Sequence, residues 1–373
     1  MGKIGIGIIG CGNISGIYFK NCKKFDNLEI LACADMVKEK AEAKAKEYNI
    51  PKACSVEELL ADKRIKLVVN LTIPKAHTEV NIKALNAGKN VYLEKPLALS
   101  RNEAVKVINL ARKKRLLVGG APDTFMGSGQ QACRKLIDDG EIGRPVGATA
   151  FMLCHGHESW HPAPEFYYKK GGGPMLDMGP YYLTALVNIL GPAVKVMGME
   201  NITFPERTIT SKEKYGAKIK VEVSTHVLGL IEFKNRVIGT IITSFDVWAH
   251  KMPCIEIYGE KGTLRVPDPN CFDGVPLIWT KAALEWKEVK LTHAFVDNSR
   301  GVGVSDMANA IINKVPFRPD VKLTYHVLDL MQSFHESART GKQVKLVSKC
   351  GQPAPMPVVT PENESDWMTV GGK

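Results

Sequence analysis

The sequence predicts a two-domain α/β architecture: a parallel sheet wrapped by helices, followed by an α+β domain on a large, open, mostly antiparallel sheet. Three observations lead there. Up to about residue 122, short apolar runs ending in Gly, Asp or Pro alternate with longer helical runs. Beyond it, β-type runs at 146–154, 194–199, 219–233, 237–245, 255–258 and 263–266 follow one another without long helices between them. A length of 373 residues gives room for two cores. The expected division is 1–122, 123–350, and a Pro-containing arm or loose terminus over 351–373.

The first strand, 4–9, is bounded by glycines and runs into Gly10-Cys11-Gly12-Asn13-Ile14-Ser15, after which a helix extends to about residue 24. Gly10 permits the tight turn. Gly12 lets backbone approach a pyrophosphate, and the helix start at Asn13 and Ile14 offers N–H groups to it. Ser15 replaces the third glycine of the dinucleotide fingerprint. Alone, such a pattern also fits an ordinary strand-to-helix turn. The next strand, 28–34, ends at Asp35, where a Rossmann domain places the acid that binds a ribose 2′-OH. A carboxylate there repels a 2′-phosphate, so NAD is favoured over NADP, although Lys38 stands nearby. Asp35 is also a candidate N-cap for a helix over 37–48.

The alternation continues with a helix at 56–61, a strand at 67–71, a helix at 76–87 stopped by Gly88, and a strand at 90–93. A helix over 100–115, capped by Ser100, precedes a strand at 116–119. Parallel sheets bind ligands at the carboxyl ends of their strands. Four clusters fall on that edge: Gly10–Gly12, Asp35, Thr72-Ile73-Pro74 and Glu94-Lys95-Pro96. Glu94-Lys95 by itself reads as a surface ion pair. Within this crevice Lys95 becomes a candidate proton donor or orienting cation.

Composition narrows the function classes. Hydrophobic residues make up 45% and charged residues 24%, and no apolar run approaches the ~20 residues of a membrane span. The N-terminus lacks a secretory pattern, and Ile6 stands where a myristoylation start would need Ser or Thr. Nine scattered cysteines without a C-x-x-C pair fit a reduced, cytoplasmic protein better than disulfides or zinc. The net charge of +11 is spread over many helices, and its densest cluster, Arg112-Lys113-Lys114-Arg115, suits a helix C-terminus. Nucleic acid and membrane are therefore not expected partners.

In the second part, a helix over 129–139 ends at Gly140 and a strand follows at 146–154. The next loop, His155-Gly156-His157-Glu158-Ser159-Trp160-His161-Pro162, combines polar groups with an aromatic ring, the chemistry that recognises a sugar; a packed or oligomer-contact loop is the plainer alternative. Its histidines lack the spacing of a metal site, and none is expected. Asn235-Arg236 reads as a hairpin turn. Helices over 305–314 and 323–340 are expected to return to the first domain.

The chain as a whole resembles the Gfo/Idh/MocA family of two-domain oxidoreductases. Glu94-Lys95-Pro96 matches its E-K-P, Pro74 and His77 its P-x-x-H, and Gly171-Gly172-Gly173…Asp177-Met178-Gly179 its glycine-rich helix start. The stretch 336–342 is similar to the family's last helix and its exit. The resemblance implies that Lys95 reaches both nicotinamide ribose and substrate hydroxyl, that Pro74 and His77 lie beside the nicotinamide, and that Asp177 belongs to the catalytic site. Three positions depart from the pattern: Tyr181 where many members carry a histidine, Asp123 where many carry an arginine nearby, and Lys75 after the proline.

The expected function is hydride transfer between NAD and a secondary alcohol of a sugar, polyol or glycoside. Lys95, Asp177 and Tyr181 are the catalytic candidates. Gly10, Gly12, Asn13, Ile14, Asp35, Thr72, Pro74, His77, Glu94 and Lys95 are the cofactor candidates. His155, His157, Trp160, His161, Asp177 and Tyr181 are the substrate candidates, and Tyr181 or a loop histidine takes the proton. An NAD-dependent glycosidase acting through a transient keto-sugar, and a non-catalytic NAD-dependent sensor, are the alternatives. The open sheet is expected to pair into a homodimer or homotetramer.

Overall fold

The computed structural model describes residues 2–360 and 367. Among these residues the strands form a five-stranded sheet, a nine-stranded sheet and a two-stranded ribbon. The first sheet holds β1 (Ile4–Ile9), β2 (Leu28–Ala34), β3 (Ile65–Asn70), β4 (Asn90–Leu93) and β5 (Val118–Gly120) in the order β2-β1-β3-β4-β5. All its pairs are parallel. Helices α1 (Ser15–Asn21), α2 (Lys38–Glu47), α3 (Val56–Ala61), α4 (Pro74–Asn86) and α5 (Arg101–Lys114) connect them. β1 is buried along its whole length, which explains its lack of polar alternation. The strand order reverses between β1 and β3, the point at which sheets of this kind bind ligands.

Local chemistry sets the helix ends. Ser55 and Glu58 form a reciprocal capping box on α3, and the Ser100 hydroxyl accepts from Glu103 N–H on α5. Asp35 does not cap α2, which starts at Lys38 after an uncapped Val37. Its carboxylate instead accepts from Val37 N–H at 2.9 Å and Cys11 N–H at 2.8 Å, tying the end of β2 to the glycine turn.

The large sheet takes β6 (Pro145–Leu153), β7 (Ala193–Asn201), β10 (His226–Phe233), β11 (Ile238–Ser244), β12 (Ile255–Gly259), β13 (Gly262–Val266), β14 (Leu277–Thr280), β15 (Trp286–Glu288) and β16 (Val344–Lys345). Its pairs are antiparallel except β6 with β11. The run expected as one strand over 219–233 is two. β9 (Lys218–Lys220) pairs with β8 (Glu206–Thr208) in the separate ribbon, and β10 begins only at His226. The chain changes partner there: Glu222 N–H donates to Tyr168 O and Thr225 N–H to Asn201 O. A period-two pattern cannot register such a switch.

The remaining helices are α6 (Ser128–Asp138), α7 (Pro174–Asp177), α8 (Gly179–Leu190), α9 (Val302–Asn313) and α10 (Val321–Thr340). α10 packs on β7 and β10 and also touches α5 and β5, so it joins the two sheets. Gly198 and Gly229 face each other across β7 and β10, and the fully buried Phe334 of α10 fills the space they leave. The opposite face of the large sheet carries exposed Met197, Met199, Leu230 and Ile238. The arm expected over 351–373 has no helix or strand to residue 360 but buries Met356 and Val359. Trp367 packs edge-on against Phe295 at 5.6 Å, and 361–366 and 368–373 lie outside the described residues. Among the described residues no helix is long and apolar enough to cross a membrane.

Candidate active site

The glycine turn follows β1 directly. Gly10 holds φ +102°, and a Cβ there would lie 2.6 Å from Leu71 O, so only glycine fits. A Cβ on Gly12 would meet open space. With Asn13 and Ile14 exposed beside it, Gly12 forms a bare backbone lip that a pyrophosphate can approach. The donor set of this edge thus fits a dinucleotide.

The Glu94 turn is wired to the same lip. Tyr18 of α1 donates to Glu94 Oε1 at 2.8 Å, and Lys95 N–H reaches Glu94 Oε2 at 3.1 Å. Glu94 N–H donates to Asn70 O, and the Lys95–Pro96 bond is cis. His77 is fully buried, with Nδ1 2.8 Å from Pro96 O and Nε2 2.9 Å from Thr72 O. Burial holds its proton affinity below the usual imidazole range despite those two carbonyls. His77 therefore sits within the wall and links the Thr72 and Pro96 segments. Thr72 donates its hydroxyl to Asn70 Oδ1, and Pro74 opens α4.

Asp177 meets Lys95 across the two sheets. Lys95 Nζ lies 2.8 Å from Asp177 Oδ1 and 2.5 Å from Asp177 O. Asp177 and Tyr181 stand four residues apart, but no unbroken helix carries them both. α7 ends at Asp177 and α8 restarts at Gly179, because Pro180 has no N–H to continue the ladder. Tyr181 N–H bonds Met178 O, which frees Asp177 O for the ammonium. The Lys95 ammonium sits 5.2 Å from the centroid of the Tyr181 ring.

The loop histidines separate. His157 Nε2 lies 3.5 Å from Asp177 Oδ2 and has no hydrogen-bond partner among the described residues. Tyr167, Phe245 and Trp160 surround its ring at 4.1, 4.7 and 5.2 Å. His161 packs between Trp160, Phe166 and Tyr167. His155 turns to other neighbours and stacks on Trp248. No group of three or more His, Cys, Asp or Glu among the described residues is placed to hold a metal.

The electrostatics assign protons. Burial alone would lower the Lys95 ammonium, but the Asp177 carboxylate and then Tyr181 outweigh it and raise it above the usual range. Lys95 stays a cation and a donor. Burial alone would raise the Asp177 carboxyl, yet Lys95 and His157 hold it at about 2. Burial pushes the Tyr181 phenol up against the opposing charges of Lys95 and Arg300. Tyr181 thus keeps its proton at neutral pH. Asp177 is the shared anion of a Lys95–Asp177–His157 array.

Arg300 is absent from the residues singled out by sequence, and Tyr167 from the substrate candidates. Arg300 faces Tyr181 and is anchored to Asn270 and Asn298. Asp123, where an arginine was looked for, accepts from Gly301 N–H at 2.9 Å and Gly303 N–H at 3.1 Å and so fixes the Arg300 segment. No local motif around 298–301 announces this. Tyr167 had a signal, its place in the aromatic run 166–168.

A dinucleotide crevice closed by a lysine, a carboxylate and an imidazole defines an NAD-dependent oxidoreductase. The chain belongs to the Gfo/Idh/MocA family: residues 4–120 match the oxidoreductase family's NAD-binding Rossmann fold, and residues 130–265 match the Gfo/Idh/MocA C-terminal domain. It is similar to the myo-inositol 2-dehydrogenase of Thermotoga maritima, 24% identical over 69% of this chain and 74% of that one. It is also similar to the 1,5-anhydro-D-fructose reductase of Ensifer adhaerens, 27% identical over 69% and 74% of the two chains. Among solved structures, an NAD-binding oxidoreductase from Klebsiella pneumoniae superposes with a TM-score of 0.81 at 20% identity, covering 93% of this chain and all of that one. Levoglucosan dehydrogenase in complex with NADH and L-sorbose gives 0.78 at 19% identity, over 93% and 99%. At those identities the structural likeness speaks for the fold.

Proposed function

We propose that this chain interconverts a secondary alcohol and a ketone on a sugar, polyol or glycoside. The observation that carries the proposal is the Lys95–Asp177–His157 array, which sets a fixed cation and a buried imidazole nitrogen beside one carboxylate. NAD, when bound, supplies the ring that exchanges hydride with the substrate carbon, and Gly10, Gly12, Asn13, Ile14, Asp35, Thr72, Pro74 and Glu94 frame its crevice. Relatives named for inositol, anhydro-fructose and levoglucosan support the substrate class.

In the oxidative direction Lys95 donates a hydrogen bond to the substrate hydroxyl and stabilises the developing alkoxide. His157 takes the hydroxyl proton, and Asp177, 3.5 Å from its ring, stabilises the imidazolium that forms. Tyr181, still protonated, holds a neighbouring hydroxyl. Trp160, Tyr167 and His161 cover the apolar face of the substrate and thin the water around the reacting carbon. Residues 1–122 form the cofactor domain and 123–350 the substrate domain.

The exposed apolar stripe of Met197, Met199, Leu230 and Ile238 supports a homodimer joined through the large sheet. Nine cysteines, all free in the structure, support a reducing, cytoplasmic setting. A panel of free sugars, inositols and 1,6-anhydro sugars with NAD tests the reading by NADH formation. Turnover of one class is expected. Glycosidic cleavage without net NADH would replace the reading by a hydrolase that uses NAD transiently.

A further inference from the structure

His155 and His157 are two residues apart but serve different spaces. His157 belongs to Asp177, whereas His155 lies flat on Trp248, with ring centroids 3.3 Å apart and planes 15° apart. Phe204 meets His155 edge-on at 6.3 Å. These three rings line a cavity of about 540 Å³, a volume in the range of small-ligand sites.

The cavity has a built floor. Arg207 is 5% exposed, and its guanidinium is held by Glu158 at 3.0 Å, by Phe245 O at 2.7 Å and by Asp246. Tyr168 donates to the same Glu158. With this ion cluster fixed, Arg207 Nε and His155 Nδ1 have no hydrogen-bond partner among the described residues. The rim is polar: Ser159, Glu206, Thr208 and Thr210 are exposed. Trp248 is 81% exposed, so the indole face away from His155 is open to solvent.

Topology sets this cavity beside the catalytic array. β6 and β11 are parallel neighbours, so the chain leaves both at the same edge of the sheet. The catalytic loop follows β6, and Trp248 follows β11. The β8–β9 ribbon that brings Phe204 and Arg207 is pinned to that loop, because Thr210 and Ser211 N–H both donate to Glu158 O. His157 of the loop faces Asp177, and His155, Gly156, Glu158 and Ser159 line the cavity.

An aromatic face open on one side, ringed by hydroxyl, carboxylate and guanidinium groups, has the chemistry that holds a pyranose. We propose that this cavity is an outer subsite for a second sugar ring, joined by a glycosidic bond to the ring oxidised beside Lys95. The inference rests on the sugar oxidation proposed above and narrows its substrate to glycosides. Trp248 takes the apolar face of the outer ring. Thr208, Thr210 and Glu206 take its hydroxyls, and the substrate is at least a disaccharide or a glycoside of comparable length.

Trp248→Ala is suited to the test because the side chain is exposed and its loss leaves the core intact. Steady-state kinetics compare a free monosaccharide with its disaccharides. The variant is expected to lose about tenfold in kcat/KM on the disaccharide through KM, and nothing on the monosaccharide. An equal effect on both, or none on either, overturns the proposal. Sedimentation velocity of the same variant is the second measurement: loss of the oligomer assigns the surface to a second copy of the chain and also overturns it. Saturation-transfer NMR with maltose, cellobiose and gentiobiose on the wild-type protein separates the two inferences. Disaccharide contact without any sugar oxidation defeats the oxidation reading and leaves the subsite standing. Sugar oxidation without any disaccharide contact defeats the subsite alone.

Discussion

At the scale of single residues, the division of labour follows from which groups hold protons. Lys95 is kept cationic by Asp177, and Tyr181 is kept neutral by burial, which is why the base role proposed above falls to His157. Two substitutions separate the candidates. His157→Asn is expected to reduce kcat by a factor on the order of a hundred to a thousand. It also removes the rise of kcat/KM with pH, since a base works only once deprotonated. Tyr181→Phe is expected to keep that rise and to raise KM instead. A pH–rate profile in which Tyr181→Phe loses the limb and His157→Asn keeps it would reverse the assignment. Lys95 and Asp177 were legible in the sequence because a strand-end motif and a glycine-rich helix start bracket them. The choice among three loop histidines was not, because it depends on the path of an irregular loop. Arg300 was hidden for a different reason: its partners lie far from it in the chain and share no spacing with it.

At the scale of elements, two devices carry separate predictions. Asp123 sits against the first turn of α9. Burial raises its carboxyl from the usual range to about 6, and the N–H groups of Gly303 and Gly301 only partly oppose this. The folded chain then binds a proton that the unfolded chain has already released between about pH 4 and 6. Stability therefore falls as pH rises through that window, by on the order of 3 kcal/mol from this group. Asp123→Asn is expected to flatten that fall, measured as urea midpoints at pH 4 and pH 7; an unchanged slope would remove Asp123 as its source. The second device is the glycine pair under Phe334. A Cβ on Gly229 would lie 2.2 Å from the Phe334 ring and 2.9 Å from Met197 O. Gly229→Ala is expected to cost about 1–3 kcal/mol of unfolding free energy, read from chemical denaturation. The parallel sheet was legible almost strand by strand, since buried strands between capped helices leave plain punctuation. The ribbon of β8 and β9 was not, because a change of strand partner leaves the period-two pattern untouched.

At the scale of the whole molecule, the candidate site lies where the parts built on the two sheets meet. Lys95 comes from the end of β4, Asp177 from a broken helix of the second domain, and α10 holds the two sheets together. The pairing of two chains proposed for the open sheet face has its own test. Met199→Glu, placed on that face at a residue 68% exposed, is expected to shift the protein to monomer in sedimentation velocity while leaving its Tm within a few degrees. An unchanged oligomer would move the interface elsewhere. The two-domain plan was readable from alternation and its loss, but the closeness of Lys95 to Asp177 required the fold, since 82 residues separate them. That contact is the centre of the account, and single-turnover hydride transfer in Lys95→Ala, with NAD binding followed in parallel, tests it most directly. The account predicts NAD affinity within a few-fold of wild type and hydride transfer slowed on the order of a thousandfold. Hydride transfer at the wild-type rate with NAD bound would contradict it.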